Sequence, residues 1–283
     1  MYSVTLENEY GKLKFDMYSP YTIDVIEGIS PPDTNINLSE MALLDGKMYN
    51  SAKANERIIS LAFAIEYDVE FYRLQSYQVL RVKKPIRFTY KSDLRDVFID
   101  GYIGKVEVTH FDLKQIVTVE IVCPNPYFKK SAEDVQELWN VVKNFHFPFA
   151  ITETEPIPLG WIEFNNDVTV ENNGDVDTGL IIKFIAKGTI SNPKIVNYDT
   201  AEYFGLNTTL ISGDEVTINT NAGYKTVTLL RGGNKSNLFN TIMAGSTWLQ
   251  LDKHKNIFVY EVGSGDWSNL VTTFSHFDLY EGV

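Results

Sequence analysis

The sequence predicts a mainly β protein in two parts: a β-rich α+β half with one or two helices, followed by an antiparallel β-sandwich. Three observations lead there. Val117, Val119, Ile121 and Cys123 alternate with Thr118, Glu120 and Val122, the two-residue period of a strand, and Pro124 and Pro126 then forbid further ladder pairing. Beyond that stop, short strand-like runs recur between residues 167 and 261 with Gly- and Asn-rich turns between them. Finally, 283 residues exceed the ~100–200 of a typical single domain, which suggests two, placed at 1–150 and 151–283.

In chain order, Val4, Leu6, Leu13 and Phe15 flank Asn8-Glu9-Tyr10-Gly11, which reads as a hairpin. A further apolar segment from Tyr21 to Ile26 leads to Gly28-Ile29-Ser30-Pro31-Pro32. From Pro31 to Glu56 neither a helical nor a strand period is sustained, and Asp45-Gly46 is the turn signal inside it. An irregular stretch this long is usually functional when it is real. Its scattered Ile36, Leu38, Met41, Leu43 and Leu44 would lie in water unless they pack on something, so an intersubunit arm is weighed here against a surface loop.

Arg57-Ile58-Ile59 opens the strongest strand signal, with Ile59, Leu61, Phe63 and Ile65 on one face. Asp68 suits a helix N-cap, and Val69, Tyr72, Ser76 and Leu80 follow at helical spacing before Pro85. Strands are expected at Ile86–Tyr90, Val97–Tyr102 and Lys105–Thr109. After Phe128, the Ser131/Asp134 pair resembles a capping box, and Val135, Leu138, Trp139 and Val142 fall at i, i+3, i+4 and i+7. The spacing predicts a second helix there. Prolines 148, 156 and 158 mark a semi-rigid joint between the halves.

The second half is expected to hold strands at Asp167–Glu171, Leu180–Ala186, Lys194–Tyr198, Val216–Asn219, Tyr224–Leu230, Trp248–Leu251 and Ile257–Glu261. Their regular spacing implies an antiparallel sandwich.

Composition narrows the function. The net charge of −12 divides as 17 basic against 21 acidic residues in 1–150 and 8 against 16 in 151–283. Such acidity disfavours adhesion to a phosphate backbone, which depends on Lys and Arg displacing counterions. No apolar run approaches the ~20 residues of a membrane span, and the start lacks the charged and apolar regions of a signal peptide. Cys123 is the single cysteine, which excludes an intrachain disulfide or a Cys-based zinc site and suits a small buried hydrophobe.

Residues that could carry chemistry are sparse. His110, His146, His254 and His276 contain no i, i+4 ligand pair, and each is read as a surface or structural histidine. Nucleophile elbows and phosphate-binding loops are absent from the sequence. Asp175/Asp177 and Asp214/Glu215 could act as acid and base or hold calcium, but they fall in expected turns, where acidic residues are common. Trp248 alternates into a strand as core, whereas Trp161 and Trp267 are free to serve as glycan contacts. No catalytic residue, cofactor site or metal site is expected.

Five segments together resemble the distal tail protein family of long-tailed, non-contractile phages, over about residues 1–130. They are Gly28-Ile29-Ser30-Pro31-Pro32, Asp45-Gly46, Arg57-Ile58-Ile59, the helix near 68–80 and Cys123-Pro124-Asn125-Pro126-Tyr127-Phe128. Glu171-Asn172-Asn173-Gly174-Asp175 and Gly213-Asp214-Glu215-Val216-Thr217-Ile218-Asn219 resemble the galectin-like sandwich often appended in that family. Lys253-His254-Lys255-Asn256 stands where family members often carry a Pro-Gly-x-Asn turn.

The resemblance implies a homohexameric ring in the virion tail, with the tail tube protein on one face and a tail-tip protein on the other. DNA would pass through without specific binding, and no membrane is involved. The arm, from Pro31 and Pro32 through Ile36, Leu38, Met41, Leu43, Leu44, Asp45 and Gly46 to Arg57, would clasp the neighbouring subunit. Receptor-binding proteins are further expected partners, and the sandwiches would project outward. The alternative is a carbohydrate-binding adhesin of the tail tip using Trp161 and Trp267; a tail hydrolase ranks below both for want of a nucleophile or metal site.

Overall fold

The computed structural model describes residues 2–41, 45–110, 114–137, 140–143, 160–163 and 167–283, the side chains of 137, 140–143 and 160–163 excepted. It divides into two compact units. The first is Met1–Ala132 with Leu279–Val283, and the second is Glu133–Asp278. The division thus falls earlier than residue 150, and the last five residues return to the first unit.

In the first unit, β1 (Ser3–Asn8) and β2 (Gly11–Phe15) form the expected hairpin, followed by β3 (Tyr21–Glu27), β4 (Thr34–Glu40), β5 (Lys47–Ala54) and β6 (Arg57–Ile65). The helix α1 (Val69–Val79) precedes β7 (Pro85–Lys91), β8 (Asp96–Val108), β9 (Ile116–Cys123) and β10 (Phe128–Lys130). The main sheet runs β2-β1-β7-β8-β9-β6-β3, and every pairing in it is antiparallel. A final strand, Leu279–Tyr280, pairs with β10.

The alternation read from the sequence is the burial seen here. Ile59, Leu61 and Phe63 of β6 and Val117, Val119 and Ile121 of β9 are fully buried on one face. Phe15, Tyr21 and Phe63 meet at ring-centroid distances of 5.0–5.8 Å, and α1 covers this cluster through Tyr72 and Val79. Asp68 sits at the helix N-cap in the left-handed region at φ 45°, without a side-chain cap bond. Cys123 is fully buried beside Gly101 of β8, where an added Cβ would meet its Sγ at 2.8 Å. Burial pushes the thiol up to about 12, so it packs as an inert small hydrophobe.

Two readings of local sequence are corrected. The stretch after Phe128 is not a helix: Asp134–Glu137 is a strand, β11, and Asn140–Lys143 is another, β12. The Ser131 hydroxyl that would have capped a helix instead donates to Asp96 Oδ1 at 2.6 Å, and its N–H bonds the Asp96 carbonyl. Residues 134–137 take the ladder offered by Leu270–His276, and that tertiary pairing overrides an apolar spacing that local propensity alone would make helical. Likewise, the stretch from Pro31 to Glu56 is largely a two-stranded hairpin of β4 and β5.

The second unit continues with β13 (Gly160–Glu163), paired to β12, and β14 (Asp167–Asn172). Its larger sheet has six strands in the order β11, Leu270–His276, Ile181–Ala186, Glu215–Asn219, Thr226–Arg231 and Asn234–Asn237. A four-stranded sheet runs β14, His254–Glu261, Lys194–Asn197 and Tyr203–Gly205. The two face each other across a shared core, where Phe258 of one stacks on Phe274 of the other at 5.3 Å. This is the expected antiparallel sandwich. The central strand Leu270–His276 had no counterpart among the strands read from the sequence.

Asp214, one of the acidic-pair candidates, is a structural residue. It is 1% exposed, accepts from Arg231 Nε at 2.8 Å and from the Ile211 N–H, and Arg231 holds its carboxyl below the usual carboxylate range. A depressed folded-state pKa contributes stability that is present above the unfolded value of ~4 and is lost as pH falls through the folded one. Urea titrations between neutral and acidic pH should therefore show a shallower loss of stability in Asp214→Asn than in the parent. At neutral pH, Arg231→Ala should cost about 1–3 kcal/mol. Identical acid slopes in parent and Asp214→Asn would remove the pair from this role.

Candidate functional site

The segments singled out in the first unit converge on one side chain. Arg57 opens β6 on its buried face and is 3% exposed. Its Nε donates to the Pro126 carbonyl at 2.6 Å, and its two terminal nitrogens donate to the carbonyls of Gly28, Ser30 and Glu281. The guanidinium carbon also lies 4.6 Å from the centroid of the fully buried Phe128 ring. Burial lowers its pKa from the ordinary arginine value. A planar donor fork suits this task, since one side chain must satisfy carbonyls approaching from several directions.

Gly28 explains why its segment follows that path. It adopts φ +80°, and an added Cβ would sit 2.0 Å from the Ile58 carbonyl oxygen. Only glycine permits both the positive φ and this approach. Beside it, the Val283 N–H donates to the Ile29 carbonyl at 3.1 Å. Gly28–Ser30, Arg57, Pro126–Phe128 and the final residues therefore form one fixed root, and the hairpin begins three residues after Pro31.

The hairpin itself is exposed on both faces. Its register pairs Thr34 with Ala54, Ile36 with Ala52 and Leu38 with Tyr49, and a bulge between Asn37 and Leu38 leaves Asn50 over. Directly opposed residues project to the same face. Ile36, Leu38, Tyr49 and Ala52 thus share the more apolar face, bounded by Thr34 and Ala54 at one end and by Glu40 and Lys47 at the other, while Asn35, Asn37, Ser39, Ser51 and Lys53 share a largely polar face with Met48. Ile36, Leu38 and Tyr49 are 55%, 47% and 62% exposed. A two-stranded hairpin is marginal by itself, and an apolar face of this kind marks a contact surface.

Of the residues expected in the arm, Pro31 and Pro32 lie at its entry, Ile36 and Leu38 on the apolar face, Met41 just past β4, and Asp45 and Gly46 in the turn before β5. Leu43 and Leu44 lie outside the described residues. Arg57 is the anchor of the root and offers little surface of its own.

Further apolar groups are exposed on this unit. Ile58, Val122 and Tyr102 form a row on the outer face of the sheet, with Ile58 and Tyr102 about half exposed. On α1, Phe71 and Leu74 are likewise exposed. In the second unit, Trp248 packs on Phe204 and Phe239, while Trp267 leans on Tyr260 with its centroid 5.8 Å away and keeps 38% exposure. Trp161 lies in β13, its side chain outside the described residues.

Among the described residues, no helix is long and apolar enough to cross a membrane. His110 and His254 are exposed, His146 lies outside the described residues, and His276 is buried.

Residues 173–275 match the family model of the siphovirus-type tail component, C-terminal domain. The solved SPP1 Dit protein, described as a paradigm of the hub adsorption apparatus in phages infecting Gram-positive bacteria, superposes with a TM-score of 0.68 at 11% identity. That match covers 98% of this chain and 99% of the other. The baseplate of phage P2 in its activated conformation with Ca gives a TM-score of 0.50 at 12% identity, over 97% of this chain and 96% of the other. No curated relative matches. The family match concerns the second unit, residues 173–275, as the C-terminal domain of a siphovirus-type tail component. Over its whole length the chain shares the fold of the SPP1 Dit protein.

Proposed function

We propose that six copies of this chain close into a ring at the distal end of the tail tube, joining the tube to the tip proteins around a channel for DNA. The observation that carries this reading is the hairpin's exposed apolar face on a root fixed by Arg57. A closed ring repeats one heterologous interface, so each subunit must present two different surfaces. The hairpin supplies one, and the outer row of Ile58, Val122 and Tyr102, or Phe71 and Leu74 of α1, supplies apolar surface for the other. The tail tube protein binds one face of the ring and a tail-tip protein the other, with the second unit directed outward toward receptor-binding proteins. A net charge of −12 lets DNA pass without adhering.

Native mass spectrometry across a concentration series, with negative-stain imaging, tests the ring. Six-subunit species with a central channel are the expected result. A strict monomer at high concentration, unchanged when the tube protein is supplied as template, would overturn it.

A further inference from the structure

We infer a divalent transition-metal site in the second unit, formed by Asp134, His276 and Asp278, whose ligand atoms all lie within 4.8 Å of one another. Asp134 on β11 stands directly across the ladder from His276, so both side chains project to the same face. Asp278 follows two residues after His276, just past the end of that strand, and is fully buried beside it.

The independent observation is the state of His276. Its ring is buried to 3% exposure, yet neither Nδ1 nor Nε2 has a hydrogen-bond partner, although Nε2 lies 3.4 Å from Asp278 Oδ1. A buried imidazole whose nitrogens make no hydrogen bond is costly, and an ion held at Nε2 would satisfy that nitrogen. Asp278 is fully buried and held in place by the Asn173 N–H, which donates to its Oδ1 at 3.0 Å. With metal–ligand distances of about 2.0–2.2 Å, tetrahedral donors sit roughly 3.4 Å apart, so the His276–Asp278 pair at 3.4 Å is already at ligand spacing and Asp134, within 4.8 Å, must close by at most about 1.4 Å.

The donor set selects the ion. One imidazole nitrogen and two carboxylates suit Zn²⁺ or a similar d-block ion, whereas Ca²⁺ prefers an all-oxygen shell. Asp134 is partly exposed, which gives the ion a path in and leaves a coordination position for water. The ion would tie the edge strand β11 to the end of the Leu270–His276 strand.

Purified full-length protein is loaded with ZnCl₂, desalted and assayed for metal by mass spectrometry, with Co²⁺ absorption and thermal unfolding measured alongside. The expected result is about one ion per chain, a Co²⁺ spectrum of low-coordinate nitrogen–oxygen type, and an unfolding temperature raised by Zn²⁺ and returned by EDTA. Asp134→Ala and His276→Gln should each weaken binding more than about 100-fold. If His276→Gln does not fold, Asp134→Ala on the partly exposed edge strand still reports. Absence of stoichiometric binding, binding retained in both variants, or a His276 imidazolium seen by NMR between the carboxylates at neutral pH with Zn²⁺ present would each overturn the site.

Discussion

Deletion of Asn35–Asn50 is expected to abolish the ring while leaving a folded protomer. The hairpin forms its own two-stranded sheet with both faces in solvent, so removing it exposes little that is now buried. The root survives: the Asn55 N–H still donates to the Asp33 carbonyl, and Arg57 keeps its carbonyls. The cost to protomer stability should therefore stay within about 1 kcal/mol. Assembly should respond far more strongly, because the same contact recurs at every interface of a closed ring and its loss is felt at each. Ile36→Asp combined with Tyr49→Asp should reproduce the defect, whereas Asn35→Asp on the polar face should not. An intact hexamer from the deleted chain would eliminate the arm as the closing element.

How much of this was legible in the sequence depends on whether burial left a one-sided pattern. β6 and β9 have one face in the core, so Ile59, Leu61, Phe63, Val117, Val119 and Ile121 announce them. The hairpin has no buried face. Ile36 and Leu38 do alternate with Asn35, Asn37 and Ser39, but the bulge that leaves Asn50 over shifts the register against β5 and hides the pairing. The Leu270–His276 strand was missed because Thr272 and His276 occupy buried positions that the pattern expects to be apolar. For β11, local spacing pointed to a helix, and only a partner strand more than a hundred residues away decides otherwise. That distance also concealed the His276 cluster. His276 and Asp278 are close in the chain, but nothing near them in the sequence indicates Asp134. By contrast, Gly28, Arg57 and Pro126–Phe128 were each visible as motifs, and the structure adds that they are one assembly around a single guanidinium.

Arg57→Ala is expected to be the most damaging single substitution in the first unit. The side chain is 3% exposed and satisfies four main-chain carbonyls, those of Gly28, Ser30, Pro126 and Glu281, while stacking on Phe128. Truncation leaves these acceptors facing a cavity, and even with water entering it the cost should be about 3–5 kcal/mol, read as a lower urea midpoint at unchanged m-value. Arg57→Lys keeps the charge but presents a compact ammonium in place of the fork, so it should recover only part of the loss. The two variants also separate stability from placement. If Arg57 sets the direction of the hairpin, Arg57→Lys should yield a folded chain whose Gly28–Asp33 segment is cleaved faster by protease and whose ring forms only at higher concentration. A lysine variant equal to the parent in protection and assembly would mean that the carbonyls need a positive charge nearby and nothing more specific.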